Sequence, residues 1–215
     1  MSRPYPIVVF DLDGTLLDSL KTTFLALDHA VSPRRGRPLE IKDMVHLLRH
    51  TDTEILSILL PEDLVAAATR DYLDFYRSPE GGIAPFEGIA ELLRDLRAAG
   101  FPLAVVTGRG RRSLDILLEQ SGLSDLLEVV VAADDGFGRK PATDILHHAA
   151  GRLGVKTPGG LMVGDGPDDV RSGRAAGMTT VTTRWCGMIP MEQIEAVEPD
   201  HIVDTVEELR RLLGL

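Results

Sequence analysis

The chain has 215 residues, with 33 acidic and 23 basic side chains, a formal net charge of -10 and one cysteine, Cys186. A chain of that length folds without a disulfide or metal staple, and a lone cysteine excludes an internal disulfide and fits a reducing compartment. The acidic balance excludes the clustered positive face of a nucleic-acid binder, and an anionic substrate has to be held by local groups or a cation.

The N-terminal MSRPYPIVVFDLDG has one short apolar run, ended by aspartate after four residues. That is neither a signal peptide nor a membrane span, so a cytoplasmic protein without a membrane partner is expected. IVVF (7–10) reads as the first strand. Residues 18–84 then show no strand pattern. Helical patterns fill them: LKTTFLALDHAV, LEIKDMVHLLRH, TDTEILSILL with Thr51 and Glu54 as a capping box, and EDLVAAATRDYLDFYR. After the turn-rich SPEGGIAP, helices and strands alternate. GIAELLRDLRAAG (88–100), RRSLDILLEQSG (111–122) and PATDILHHAAGRLG (141–154), with Pro141 in its first turn, read as helices. PLAVV (102–106), EVVVA (128–132), GLMV (160–163), TTVT (179–182) and HIV (201–203) read as strands. Apolar, β-branched strands joined by helical crossovers predict an α/β fold. Its core is a Rossmann-like doubly wound parallel sheet, residues 1–17 and 85–215. A small all-helical cap, residues 18–84, is inserted after the first strand, with links near 14–19 and 78–86.

In such a sheet, ligands gather beyond the carboxyl ends of the strands. The first strand delivers Asp11 and Asp13, two like charges two residues apart. The strand ending at Val106 delivers Thr107, Gly108 and Arg109, and Lys140 follows the EVVVA strand after Asp134 and Asp135. The strand ending at Val163 delivers Asp165, Asp168 and Asp169. Taken singly, each fits a cap, a turn or a solvated surface. Together, Asp11, Asp13 and Asp165 bring three carboxylates to one point, which is unstable without a cation. Hard oxygen ligands, few in number, point to Mg²⁺ shared with a substrate phosphate. Thr107 offers a hydroxyl and Gly108 an unencumbered N–H to phosphoryl oxygens, and Lys140 adds a point charge. Of two neighbouring aspartates, one can attack phosphorus while the other shuttles a proton.

FDLDGTLLDS resembles the first motif, DxDGT, of the haloacid dehalogenase (HAD) superfamily of phosphohydrolases. VVTGRG is similar to its second motif, GRKPATDILHHAAGRLG to its third and VGDGPDDVRSGRAAGM to its fourth, all in the family's order. The tail WCGM…PDHIVDTVEELRRLL resembles the endings of phosphoglycolate-phosphatase-like members. The resemblance implies that Asp11 is the nucleophile and Asp13 the general acid and base. It implies a phosphoryl site of Asp11, Leu12, Asp13, Thr107, Gly108 and Lys140, with Lys140 also neutralising Asp11. Mg²⁺ would sit on Asp11, Asp165 and the backbone carbonyl of Asp13. Asp169, selected over Asp168 by the GDxxxD spacing, would orient Lys140 or a metal-bound water. The helical insert would be a cap over a small phosphorylated metabolite. His46 and Arg49 lead its candidates for reading the leaving group, with Arg34, Arg35, Arg37 and His50 behind them. HLLRHT lacks the glycine that often occurs in this part of the cap of phosphoglycolate-phosphatase-like members.

Rival readings share the core. A β-phosphoglucomutase-like mutase carries a histidine about twelve residues after the nucleophile, where this chain has Thr23. A pyrophosphatase, a phosphonate hydrolase wanting a cap lysine (only Lys42 is central) and a dehalogenase lacking the second aspartate complete the set. A phospho-receiver domain would have no helical insert, and GRGRRS fails the dinucleotide fingerprint at its third glycine. The sequence therefore predicts a Mg²⁺-dependent phosphatase acting on a phosphoglycolate-like monoester.

Overall fold

The computed structural model describes residues 3–44, 47 and 50–215. Its elements in chain order begin with β1 (Val8–Phe10), α1 (Leu20–Arg35), α2 (Ile41–Met44), α3 (Asp52–Leu59) and α4 (Glu62–Arg77). There follow α5 (Ile89–Ala98), β2 (Leu103–Val106), α6 (Arg111–Ser121), β3 (Val129–Val131) and α7 (Asp144–Arg152). The chain ends with β4 (Leu161–Gly164), α8 (Pro167–Ala175), β5 (Thr179–Thr183), α9 (Met191–Glu195), β6 (His201–Val203) and α10 (Val206–Leu213).

The six strands form one parallel sheet in the order β3-β2-β1-β4-β5-β6. Val8 lies between Leu103 of β2 and Leu161 of β4, and Phe10 between Val105 and Val163. Alternation along β1 explains why its residues are all apolar: Val8 and Phe10 enter one core, Ile7 and Val9 the other. The first core runs without a break from the sheet into the helical insert, through Leu27, Leu56, Tyr72 and Tyr76. Each such side chain, fully buried, contributes about 1.5–3 kcal/mol. The flanking helices dock by the same logic. In α5 the buried Ile89, Leu92, Leu93 and Leu96 repeat at helical spacing.

Within the insert α1 packs along α4, and α3 rests on both. The expected capping box starts α3: the Thr51 Oγ1 accepts from the Glu54 N–H at 3.4 Å, and Glu54 Oε2 accepts from the Thr51 N–H at 2.9 Å. The two connections to the sheet run side by side. The Asp18 N–H donates to the Ala84 carbonyl at 3.1 Å, and the Phe86 N–H to the Leu16 carbonyl at 3.0 Å.

One helix differs from expectation. The one expected from Pro141 starts at Asp144, because the Ala142 N–H closes a turn on the Arg139 carbonyl at 2.9 Å. LEIKDMVHLLRH holds α2 at Ile41–Met44, and its candidates His46 and Arg49 lie outside the described residues. Among the described residues no helix is long and apolar enough to cross a membrane.

Candidate active site

Strand order reverses at β1, so a crevice opens between the carboxyl ends of β1 and β4. The Asp11 N–H donates to the Val163 carbonyl at 2.8 Å. That bond extends the ladder one residue past β1 and fixes Asp11 at the seam. The chain then turns tightly, with the amides of Leu16 and Leu17 both 2.9 Å from the Leu12 carbonyl, and the Leu12 side chain is fully buried. Gly14 completes the turn at φ 78°, in the left-handed region, and a Cβ there would lie 2.2 Å from Asp165 Oδ2.

Lys140 Nζ donates to Asp11 Oδ1 and to Asp169 Oδ1, each at 2.6 Å. Asp169 Oδ2 accepts from the Gly166 N–H at 3.0 Å, where α8 begins. Asp168 is turned outward to Arg171 at 2.9 Å. Carboxylate oxygens of Asp11, Asp165 and Asp169 lie within 4.8 Å of one another. This is not the expected triad of Asp11, Asp13 and Asp165. The Asp13 carboxylate pairs with Arg109 while lining the same cavity, and Asp169 from the first turn of α8 is the third carboxylate of the cluster.

Burial pushes the Asp11 carboxyl up to about 7 against the pull of Lys140, with Asp169 and Asp13 adding to the rise. Burial raises Asp165 well above the carboxylate range as well, followed by the charges of Asp11 and Asp169. Burial would lower Lys140, but Asp11 and Asp169 carry it above its usual value. One ammonium thus faces three buried carboxylates. A close set of hard oxygen donors short of positive charge fits a divalent cation.

Arg109, two residues after Thr107, organises the other half of the site. Its side chain is 3% exposed. It holds Asp13 through Nη2–Oδ1 at 2.6 Å and Nε–Oδ2 at 3.0 Å, and the Ser19 hydroxyl donates to the same carboxylate. The rest of the guanidinium faces the insert. Nη1 donates to the hydroxyls of Tyr72 and Tyr76, each at 3.1 Å, and Nη2 to Thr23 Oγ1 at 2.8 Å. Asp52, which accepts from Tyr72 at 2.6 Å and from Ser113, sits 3.5 Å from Nη1. Burial opposes the charge on both ions. Arg109 nevertheless holds Asp13 below the usual carboxylate range, and Asp13, ahead of Tyr76, Tyr72 and Asp52, raises Arg109.

Sequence reasoning placed Arg109 at a strand end without assigning it work. The one signal was a cation leaving a strand end between glycines. Of the other expected residues, Thr107 is buried with its Oγ1 accepting from the Arg109 N–H at 3.1 Å, and a Cβ on Gly108 would meet only open space. Asp11, Thr107, Gly108, Lys140 and Asp165 line one cavity of about 340 Å³, which His50 of the insert also reaches. Arg34 pairs with Asp71 at 2.6 Å, and Arg35 and Arg37 pair with Asp43. Asp134 and Asp135 brace the start of α6 through the Arg111 amide and guanidinium. Trp185 packs on Phe86 and donates to the Thr15 carbonyl at 3.0 Å.

The family model described as "Haloacid dehalogenase-like hydrolase" matches residues 8–183. The chain belongs to the haloacid dehalogenase-like hydrolases. Among relatives of this HAD hydrolase is a "Probable phosphatase IndB" of Dickeya dadantii, 34% identical over 212 residues, 95% of this chain and 91% of that protein. A "Pyrophosphatase PpaX" of Halalkalibacterium halodurans is 26% identical over 208 residues, covering 97% and 96% of the two chains. A solved structure titled as a "predicted phosphoglycolate phosphatase" from Haemophilus somnus shares the fold at a TM-score of 0.82 and 22% identity, over 97% of this chain and 98% of that one. The protein is an enzyme, a hydrolase of the HAD phosphatase type.

Because Gly14 abuts Asp165, Gly14→Ala is expected to shift that carboxylate and reduce this HAD hydrolase's activity about a hundredfold, the scale of a 1 Å misplacement. The left-handed backbone adds about 1–2 kcal/mol of strain. Phosphate release and the melting temperature of the variant check both parts.

Proposed function

We propose that the protein is a Mg²⁺-dependent phosphatase that cleaves a small, phosphoglycolate-like phosphate monoester through an aspartyl-phosphate on Asp11. The observation that carries this reading is the position of Asp11, at the seam of the sheet between Lys140 and two further buried carboxylates. An Asp11 oxygen attacks phosphorus while the Thr107 hydroxyl, the Gly108 N–H, the Leu12 and Asp13 backbone and Lys140 receive the phosphoryl oxygens. Asp13 gives a proton to the departing alkoxide, then takes one from the water that releases phosphate from Asp11. Arg109 favours the ionised Asp13 needed for the second half, and a dianionic substrate favours the protonated form needed for the first. When bound among Asp11, Asp165, Asp169 and the Asp13 carbonyl, Mg²⁺ supplies the positive charge that lets a phosphate approach three carboxylates. Asp169 keeps Lys140 aimed at Asp11. Residues 18–84 act as the cap that closes the cavity to water.

Pyrophosphate is the second reading, favoured by PpaX relatives that span nearly the whole chain. The mutase reading loses ground, because Thr23 is occupied by Arg109 and Tyr76 inside the protein. The test is phosphate release from a panel containing phosphoglycolate and pyrophosphate, with Mg²⁺ and with a chelator. Release is expected to fall below about 1% in chelator and to return with added Mg²⁺. Release that persists in chelator overturns the metal-dependent mechanism, and the ranking within the panel decides between the two substrates.

A further inference from the structure

Arg139 directly precedes Lys140, so the loop that sends an ammonium to Asp11 also sends a guanidinium to the wall of the same cavity. That guanidinium is held by one carboxylate. Arg139 Nη1 donates to Glu54 Oε2 and Nη2 to Glu54 Oε1, both at 2.8 Å, a two-pronged pair joining the catalytic loop to α3 of the insert. Both side chains are close to half exposed, at 42% and 40%. Arg139, with the backbone of Thr51, holds the Glu54 carboxyl down at about 2.

Among the described residues, the other Lys and Arg side chains lining the cavity are committed differently. Lys140 is shared by Asp11 and Asp169, and Arg109 is enclosed by Asp13 and the insert's hydroxyls. Arg171 makes a single contact to Asp168 on its own helix. Arg139 alone among these four presents a planar fork whose two donors meet one solvent-accessible carboxylate. A fork that fits a carboxylate fits another carboxylate or a phosphoryl group equally well. On release Glu54 returns to water, keeps its bond from the Thr51 N–H and stays 3.7 Å from His50 Nδ1.

We infer that Arg139 is a specificity-determining residue that binds an anionic group on the leaving side of the substrate, a carboxylate or second phosphoryl, in exchange for Glu54. This rests on the phosphatase reading above. Six aspartates, Asp11, Asp13, Asp52, Asp165, Asp168 and Asp169, are among the residues lining the cavity, and Asp11, Asp165 and Asp169 cluster their carboxylates there. A second anion on the substrate therefore needs a cation of its own, and a monoester with an uncharged alcohol leaves Arg139 on Glu54.

The test compares kcat/KM for phosphoglycolate and pyrophosphate with that for 2-hydroxyethyl phosphate, which replaces the carboxylate of phosphoglycolate by an uncharged hydroxymethyl group. In Arg139→Met the ratio of the better anionic substrate to 2-hydroxyethyl phosphate is expected to fall about tenfold or more, mostly through KM. Arg139→Lys recovers part of it. Glu54→Gln, which removes the competing charge and can still cap Thr51, raises the ratio. A latch that serves only to hold the insert in place lowers all substrates in step, and an unchanged ratio in Arg139→Met overturns the inference. Wild-type enzyme that cleaves 2-hydroxyethyl phosphate but neither anionic substrate also overturns it while leaving the phosphatase reading intact. Wild-type enzyme that cleaves none removes the phosphoglycolate-like and pyrophosphate readings and this inference with them.

Discussion

An Asp11→Asn variant is expected to release phosphate at least about a thousandfold more slowly than wild type, with the fold retained. The amide is close in size to the carboxylate but cannot attack phosphorus. It can still accept one bond from Lys140, so the pocket keeps its shape. Stability is expected to change little, because two effects of substitution oppose each other. Lys140 loses one of its two carboxylates, and Asp165 and Asp169 lose a like charge held within 4.8 Å. Rapid acid quench of wild type during turnover should trap a phosphoryl adduct on the peptide containing Asp11, and the variant should trap none. Residual release above about a tenth of wild type would mean that water attacks phosphorus directly and that Asp11 serves only as a ligand.

The residues that entered that argument were legible in the sequence for a physical reason. Asp11 and Thr107 follow directly on an apolar run and Asp165 follows one glycine later, and a parallel sheet buried on both faces leaves only its strand ends for polar work. The capping box at Thr51 and Glu54 was legible because its partners are three residues apart. What escaped was non-local. The partners of Arg109 are scattered from Asp13 to Ser113, on four separate elements and a turn, and no periodicity links them. Glu54 and Arg139 are 85 residues apart, so the second use of the capping glutamate was invisible. The exchange of Asp13 for Asp169 in the carboxylate cluster turns on which way two side chains point. DxDGT spacing does not encode that direction. Pro141 misled because proline suits a first helical turn and an ordinary turn equally well.

Arg109→Met is expected to lose about 3–5 kcal/mol of stability, the scale for removing one partner from a buried ion pair. In a chain of this size that lowers the melting temperature by about 10 °C. Methionine fills much of the same volume, so the loss reports charge and hydrogen bonds rather than a cavity. Asp13 would keep only Ser19, and Asp52 would stay buried beside Tyr72 and Ser113 without a cation. Arg109→Lys should restore less than half, since an ammonium can reach Asp13 but cannot also serve Tyr72, Tyr76 and Thr23. Adding Asp52→Asn to Arg109→Met should recover stability, because it removes the carboxylate left unpaired. Denaturant or thermal unfolding of the four proteins measures each term, and a single variant within about 1 kcal/mol of wild type would refute the assignment of Arg109 as the central ion. The arrangement has a consequence for cooperativity. Thr23, Asp52, Tyr72 and Tyr76 belong to the insert, whereas Asp13 and Ser113 belong to the sheet and its flanking helix. Insert and sheet therefore meet on one buried charge as well as one apolar core, so wild type should unfold in one transition. Separation into two transitions in Arg109→Met would show that the guanidinium, more than the shared core, joins them.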